Sequence, residues 1–128
     1  MPDMLGVGVD LCAISRIARA IEKEHFLARV FTDTERAYLD TKGKAAAQSA
    51  AAMLAAKEAV SKALGTGISG GVMPGQIGVT HDESGAPGIE LTGTALDVLK
   101  SRGGGRVMLS LSHEGDKAIA FAVILEDG

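Results

Sequence analysis

The stretch AAKEAVSKALGTG, residues 55–67, ends an alanine-rich segment that predicts the longest helix of the chain. Alanine is the best helix former, and it occupies half of residues 45–64. Its small side chain also lets a second backbone pack closely against the helix. Because alanines cannot cover the charges of Lys57, Glu58 and Lys62, we expect these three side chains to serve a site.

The N-terminal segment MLGVGVDL, residues 4–11, predicts a strand that suits this helix. Side chains alternate between the two faces of a strand. One face of this strand is nearly bare, with Gly6, Gly8 and Asp10, whereas the other face is aliphatic. An alanine helix laid over the bare face would bring the carboxylates of Asp10 and Glu58 close together.

The rest of the pattern predicts an α+β fold, with a mostly antiparallel sheet wrapped around the long helix. Isoleucines at helical spacing follow the first strand, and we expect that helix to break near His25. Thr32 and Glu35 have the capping-box spacing that opens a short helix. The glycine-rich run at 65–75 predicts a loop. Beyond it we expect two hairpins separated by one amphipathic helix, with strands at 76–81 and 87–91, the helix at 92–103, and strands at 106–112 and 117–125. We therefore expect residues 1–128 to form one domain.

Composition limits the classes of function. Apolar residues make up 46% of the 128 residues but aromatic residues only 3%, so the core must be aliphatic and self-association would add burial. The net charge of −3 argues against binding to nucleic acid or a membrane surface. The single Cys12 excludes an internal disulfide and suits a reducing compartment. Because the sequence shows no signal peptide or apolar span, we expect a cytoplasmic protein.

Two carboxylates and two lysines make up the strongest candidate site. Mg²⁺ prefers oxygen ligands and usually takes one or two carboxylates together with water and phosphate. Asp10 and Glu58 would therefore hold Mg²⁺, and Lys57 and Lys62 would neutralise the phosphates. Simpler interpretations stay open at this point. Glu58 and Lys62 also form a favourable (i, i+4) surface pair, and Asp10 is a common residue type for capping the helix that follows.

Two further clusters allow a structural or a functional interpretation. In SHEGD, residues 112–116, His113 lies at the end of a predicted strand and is either a turn residue or a ligand. Arg16, Arg19 and Lys23 are spaced three and four apart on a predicted helix. They form either a solvated basic face or a docking surface for an acidic partner helix. No dinucleotide-binding or phosphate-loop motif is complete.

Four segments together resemble one known family. They are GVGVDLCAISRI at 6–17, RVFTDTE at 29–35, AAKEAVSKALGTGI at 55–68 and SLSHEGDKAIAFAVI at 110–124. Over essentially the whole chain, their order and spacing resemble holo-acyl-carrier-protein synthases, the short form of the phosphopantetheinyl transferase superfamily. The resemblance implies that family's fold and a Mg²⁺-dependent transferase. Its reaction would move 4′-phosphopantetheine from coenzyme A to a serine of apo acyl carrier protein, or of a carrier domain, and release adenosine 3′,5′-bisphosphate.

The resemblance also implies roles for individual residues. Asp10 and Glu58 match the Mg²⁺ ligands, and Lys62, close to the transferred phosphate, completes the catalytic group. The resemblance assigns His113 to the coenzyme A site, near the adenosine end. Apart from the resemblance, the place of Lys57 and Lys62 beside the carboxylates and the loop after the helix make Lys57, Lys62, Gly65, Thr66 and Gly67 candidate coenzyme A contacts. Arg16 matches the arginine on the helix that meets the acidic helix of the carrier protein, and the helical spacing adds Arg19 and Lys23 to this docking surface. Members of this family are typically homotrimers in which neighbouring subunits share each active site.

One departure from the family pattern concerns coenzyme A binding. The family usually has Arg and then an aromatic residue just before AAKEA, where this chain has Met53 and Leu54. A basic contact is therefore either missing or supplied by Lys42, Lys44 or Arg106. This departure keeps a non-catalytic coenzyme A-binding module as an alternative. A trimeric interaction protein with a functional basic helix is a second alternative.

Overall fold

The computed structural model describes residues 2–128 and has the α+β architecture that the sequence predicts. Five helices and five strands alternate in an irregular order within this range. In chain order they are β1 Met4–Ala13, α1 Ile14–Ala20, α2 Glu24–Val30, α3 Asp33–Asp40, α4 Ala46–Leu64, β2 Ile77–His81, β3 Pro87–Leu91, α5 Gly93–Ser101, β4 Gly104–Glu114 and β5 Lys117–Glu126. Two single turns of 3₁₀ helix, Gly43–Ala45 and Pro74–Gln76, precede α4 and β2.

The strands form two antiparallel sheets. The larger sheet has the order β1-β5-β4, and the smaller one consists of the hairpin β2-β3. In the larger sheet Asp10 lies opposite Ala120, and Val9 lies opposite Phe121. Because neighbouring residues of a strand face opposite sides, the two faces of this sheet have different compositions. Helix α4 covers the face that carries Asp10.

The contact between α4 and β1 depends on the absence of side chains. A Cβ atom at Gly8 would overlap the carbonyl oxygen of Ala59, and one at Gly6 would overlap the carbonyl oxygen of Ala63. On β5, Ala122 lies opposite Gly8 and Ala120 opposite Asp10, and both alanines are completely buried, whereas the partner of Gly6 is the buried Ile124. The predicted packing of an alanine helix on a glycine face is therefore confirmed.

The other face of the larger sheet is apolar and exposed. It carries valine, leucine, isoleucine, phenylalanine and methionine side chains on all three strands, each between 38% and 56% exposed. They are Val7, Val9 and Leu11 on β1, Ile119 and Phe121 on β5, and Met108 on β4. We call these six residues the open face. Within residues 2–128, no helix is both long and apolar enough to cross a membrane.

Two differences from the predicted boundaries have a clear packing reason. The first helical segment breaks at residues 21–23 rather than near His25. In one continuous helix Phe26 would point away from the face of Ile17, whereas the break lets both side chains pack against the core. The last hairpin already starts at Gly104, whereas the sequence predicts that its first strand starts at residue 106. A Cβ at Gly104 would overlap the side chain of Leu99, so this glycine lets β4 pass close to α5.

The capping box at the start of α3 is confirmed. The Thr32 hydroxyl accepts a hydrogen bond from the backbone N–H of Glu35 at 3.1 Å, and the Glu35 carboxylate accepts one from the backbone N–H of Thr32 at 2.8 Å. Glu35 is nevertheless almost completely buried, at 1% exposure. A capping residue at a helix surface does not require such burial, so the capping box describes only part of its role.

Candidate active site

The three predicted catalytic side chains lie together where β1 meets α4. The ammonium group of Lys62 donates one hydrogen bond to Asp10 Oδ1 at 3.1 Å and another to the carbonyl oxygen of Val9 at 3.1 Å. Lys62 thus pairs across to the strand rather than along its own helix to Glu58. The Asp10 side chain does not cap α1, because Ala13 occupies the N-cap of that helix.

The third member, Glu58, is half-buried and feels the charges of the other two. Burial raises the pKa of Glu58 above its ordinary value of 4.5, the Asp10 carboxylate raises it further, and Lys62 opposes both effects. The two carboxylates are therefore close enough to repel each other. A site with excess negative charge of this kind suits a cation, provided that the cation tolerates few protein ligands.

The donor set fits Mg²⁺ better than a metal that needs an all-protein cage. Among residues 2–128 there is no group of three or more His, Cys, Asp or Glu side chains placed to bind one metal ion. Mg²⁺ does not require such a group, since it keeps several waters and is commonly bound by one or two carboxylates together with substrate phosphates. Asp10 and Glu58 would meet that requirement, and the Lys62 ammonium group lies 3.1 Å from Asp10 Oδ1.

Open space adjoins the carboxylates on both sides. A shallow depression of about 450 Å³ is lined by Asp10 and Lys62 together with three residues of the open face, Val9, Leu11 and Ile119. A second cavity of about 460 Å³ is lined by Glu58 and mainly apolar side chains from α2, α4 and the glycine-rich loop, namely Phe26, Arg29, Val30, Leu54, Ile68, Met73 and Pro74. Substrate groups can therefore reach the carboxylates from two directions.

The structure corrects the expectation for Lys57. Its side chain is completely buried and its ammonium group contacts the Glu35 carboxylate at 2.8 and 3.0 Å. The same nitrogen donates to the carbonyl oxygens of Pro74 at 3.0 Å and Ile77 at 2.8 Å. An ammonium group has three N–H donors, so these acceptors leave none for a phosphate. Lys57 is therefore no longer a candidate coenzyme A contact.

The glycine-rich loop begins as the sequence indicates. Gly65 ends α4 in the left-handed conformation, with φ of 87°, and its N–H donates to the carbonyl oxygen of Lys62 at 2.9 Å. The backbone N–H groups of Thr66 and Gly67 then donate to the carbonyl oxygen of Ser61, at 3.2 and 3.1 Å. These bonds fold the start of the loop back over the last turn of α4, which contains Lys62.

His113 lies apart from the carboxylate pair within one chain. It is exposed near the end of β4 and lines a separate cavity of about 130 Å³, together with Met53 and His81 among others. Next to this cavity the ring of His81 stacks on Tyr38 with centroids 4.0 Å apart, and Lys42 lies 4.6 Å from the centroid of the Tyr38 ring. Of the three suggested basic substitutes, Lys42 therefore contacts the Tyr38 ring, which stacks on the His81 that lines this cavity.

The predicted docking residues are exposed but do not share one helix. Arg16 and Arg19 lie on α1, whereas Lys23 lies in the break and forms the N-cap of α2. The guanidinium of Arg16 also contacts the buried thiol of Cys12 at 3.9 Å. Burial raises the pKa of that thiol, and the neighbouring Arg16 lowers it in part. The basic surface begins on α1, the helix that directly follows β1, the strand of Asp10.

Sequence reasoning missed two residues near the site. Arg29 lines the cavity of Glu58, and Glu35 is the buried partner of Lys57. Arg29 lies inside one of the segments that carry the resemblance, but no spacing pattern connects it to Glu58. Glu35 and Lys57 are 22 positions apart, and such a pair has no signature in a single sequence.

Comparison with known proteins gives one consistent family. Residues 6–122 match the family model described as the 4′-phosphopantetheinyl transferase superfamily. The chain is also 42% identical over 125 residues to holo-[acyl-carrier-protein] synthase of Treponema denticola, a match that covers 98% of this chain and 99% of the relative.

Solved structures of the same family have a similar fold. The chain is similar to the crystal structure of holo-[acyl-carrier-protein] synthase from Neisseria meningitidis, with a TM-score of 0.85 and 38% identity over 95% of this chain and 98% of that one. The synthase of Helicobacter pylori, solved in complex with coenzyme A, has a TM-score of 0.80 and 29% identity over 92% of this chain and 98% of that one.

Proposed function

The chain belongs to the 4′-phosphopantetheinyl transferase superfamily, and from this premise we propose that it converts apo acyl carrier protein to the holo form. Coenzyme A would be the donor and a serine of the carrier protein, free or within a synthase, the acceptor. Adenosine 3′,5′-bisphosphate would be released. The observation that carries the proposal is the meeting of Asp10, Glu58 and Lys62 beside two open cavities.

The reaction is a phosphoryl transfer, in which positioning and charge neutralisation supply most of the catalysis. The serine oxygen would form a bond to the β-phosphorus of coenzyme A. The bond from that phosphorus to the oxygen shared with the α-phosphate would break, and this oxygen would leave on the adenosine bisphosphate. Lys62, whose side chain is half exposed, is placed to exchange Asp10 for a phosphate oxygen.

Asp10 and Glu58 are the residues that would hold Mg²⁺. The ion would neutralise charge on the pyrophosphate and on the leaving bisphosphate. The serine proton would pass to a carboxylate oxygen of Glu58, either directly or through one water molecule.

We further propose that Arg16 and Arg19 on α1, with Lys23 beyond it, bind an acidic helix of the carrier protein. The three side chains are exposed in a protein with a net charge of −3, and they follow the active-site strand directly. In Arg16→Glu, the KM for the carrier should rise about tenfold and that for coenzyme A by less than about twofold. Equal rises in both KM values would contradict this division. Lys100→Glu, an exposed change on α5, is the matched control.

We also propose that the protein is a homotrimer with active sites shared between neighbours. Two observations support this. The open face leaves six large apolar side chains in contact with solvent in a single chain, and exposed apolar patches of this kind commonly mark association surfaces. His113, which the family resemblance assigns to coenzyme A, lies in a different cavity from Glu58. A neighbouring subunit can supply it.

The first test is intact-mass spectrometry of an apo acyl carrier protein incubated with this protein, coenzyme A and Mg²⁺. We expect the carrier to gain one phosphopantetheine unit, and we expect the gain to disappear with EDTA and in Asp10→Ala. A gain that persists under both conditions would refute the Mg²⁺ assignment. If no carrier gains mass, including one excised from a large synthase, the enzyme proposal fails and coenzyme A titration tests the binding module.

A further inference from the structure

The strongest unassigned feature is the buried pair of Lys57 and Glu35. Besides Lys57, the Glu35 carboxylate accepts hydrogen bonds from the backbone N–H groups of Thr32 and, at 2.7 Å, Val79. No buried side-chain nitrogen or oxygen atom of residues 2–128 lacks a partner, so this network is complete. It joins α3, α4 and the start of β2.

Stability alone does not explain why such a pair is buried. Removing two charges from water costs about as much as their attraction returns, and a well-packed apolar pair often serves stability equally well. What an apolar pair cannot do is hold backbone carbonyl groups at fixed positions.

The carbonyl groups that Lys57 holds lie where the glycine-rich loop passes into β2. Pro74 opens the 3₁₀ turn that follows the loop, and Ile77 is the first residue of β2. The beginning of the loop is fixed separately, through the bonds to the carbonyl oxygen of Ser61. Between these two anchors, Gly70 and Gly71 adopt positive φ values, so this part of the backbone provides little stiffness of its own.

The loop in turn shapes the cavity of Glu58. Ile68, Met73 and Pro74 form one wall of that cavity, while Glu58 and Leu54 of α4 form another. Lys57 is the residue directly before Glu58, so a single turn of α4 presents one side chain to the cavity and the other to the anchor of the opposite wall. The distance between the two walls therefore depends on the Lys57 contacts.

We propose that Lys57 and Glu35 are positioning residues that hold the end of the glycine-rich loop against α4 and so set the shape of the substrate cavity beside Glu58. Neither residue touches the substrate. The proposal rests on the proposed transferase function, because the cavity is taken to receive part of coenzyme A or of the carrier protein. Its structural part, that the pair orders the loop, holds independently of the substrate.

The kinetic consequence differs from that of a purely structural pair. If the loop lost its second anchor and occupied its binding position only a tenth of the time, the KM for the substrate would rise about tenfold. The kcat would change by less than about twofold, because Asp10, Glu58 and Lys62 remain in place once substrate is bound. A fold that is merely weakened loses active protein instead, so its kcat falls and its KM does not change.

The test compares Glu35→Met/Lys57→Met with the unchanged protein, at a temperature well below both melting points. The double variant replaces the pair without leaving one buried charge alone. Glu24→Met/Arg36→Met is the matched control, since this exposed ion pair, 2.7 Å between Arg36 Nη2 and Glu24 Oε1, joins α2 to α3 without contacting the loop. KM and kcat are measured for coenzyme A and for the carrier. Amide hydrogen exchange is followed at residues 66–77, with α4 and β5 as internal references.

We expect the double variant to show faster exchange at residues 66–77 and at the N–H groups of Thr32 and Val79, which lose their Glu35 acceptor, and a rise of about tenfold in at least one KM. The control should show neither. Unchanged exchange and unchanged KM values would overturn the proposal, as would a fall in kcat alone. If the double variant does not fold, Glu35→Gln replaces it, and the same outcomes apply with smaller changes. If the unchanged protein transfers nothing, the transferase proposal has failed, and the exchange data alone decide whether the pair orders the loop.

Discussion

At the scale of single residues, the surroundings of Glu58 stabilise its ionised carboxylate less than water stabilises that of a surface glutamate. It lies half-buried next to the Asp10 carboxylate, and only Lys62 offsets the repulsion. A charge that is disfavoured in the free protein and stabilised when a ligand binds is typical of a functional site. The same charge that binds Mg²⁺ in our proposal therefore lowers the stability of the protein when no metal is bound.

Glu58→Gln should consequently raise the melting temperature of the metal-free protein at pH 7, by about 2 °C. The sign follows from the raised pKa of Glu58. An acid of this kind contributes its full stability below its ordinary value of 4.5, where it is protonated, and loses that contribution as the pH rises through the folded-state pKa. The advantage of Glu58→Gln should therefore vanish near pH 4, which calorimetry at both pH values would show.

The same substitution should reduce kcat/KM at least about 100-fold, and Mg²⁺ should raise the melting temperature of the unchanged protein but not of Glu58→Gln. Glu90→Gln is the control, because Glu90 is exposed on β3 far from Asp10 in the chain. A variant that is destabilised at pH 7, or one that keeps its activity, would show that Glu58 is an ordinary helix glutamate.

Sequence reasoning assigned Glu58 correctly to the neighbourhood of Asp10 and misplaced Lys57, and the reason is physical. Helix α4 is buried on nearly all sides, so its alanines give no apolar stripe from which the orientation of a charged residue can be inferred. For Asp10, the alternation of β1 provides a second source of information. Lys57 has no such source, since its acceptors are a carboxylate and two carbonyl oxygens from distant parts of the chain.

At the scale of elements, the close contact between β1 and α4 places Asp10 and Glu58 together. Strand parity alone puts Gly6, Gly8 and Asp10 on one face, and this is why the core of the site is predictable from the sequence. The break before α2 is not predictable to the residue, because Ile21, Glu22 and Lys23 contain no glycine or proline to mark it.

Gly8→Ala tests this contact. A methyl group there would overlap the carbonyl oxygen of Ala59, and neither backbone can move without shifting the sheet or the helix. We expect a loss of about 1–3 kcal/mol in the free energy of unfolding, measured with urea. Because β1 would be pushed away from α4, Mg²⁺ should also stabilise the variant less than the unchanged protein.

Gly75→Ala is the matched control, since a Cβ at that glycine meets nothing within 4 Å and its φ is not positive. Its effect should stay within about 0.5 kcal/mol. Equal stability of Gly8→Ala and Gly75→Ala would mean that α4 does not need the bare face of β1.

At the scale of the whole molecule, the larger sheet is covered by α4 on one face and left open on the other. Valines, leucine, isoleucine and phenylalanine alternate in β1 and β5 with the glycines and alanines beneath α4. Apart from the buried Ile124, β1 and β5 therefore place their large side chains mainly on the open face and small ones towards the helix. A single chain gains little burial from this choice, whereas an assembly of several chains would bury the large side chains.

Phe121→Lys should therefore separate the assembly. Phe121 lies on β5, the central strand of the sheet, opposite Val9 of the strand that also carries Asp10. A lysine at this position would bury a charge inside the proposed interface, which costs free energy. The loss of the apolar contacts of Phe121 would weaken the interface further. Analytical ultracentrifugation should show the unchanged protein at three times the chain mass of 13.1 kDa and Phe121→Lys at that chain mass.

The separated chain should lose transferase activity although its own Asp10, Glu58 and Lys62 are intact, since His113 would no longer be supplied by a neighbour. Ala37→Lys adds the same charge at an exposed position of α3 and should leave both mass and activity unchanged. An active monomer would refute the shared site, and an unchanged protein that already sediments as a monomer would refute the trimer. Mixing two assembly-competent inactive variants, Glu58→Gln and His113→Ala, should restore part of the activity, because a mixed assembly can combine the intact carboxylate pair of one subunit with the intact His113 of another.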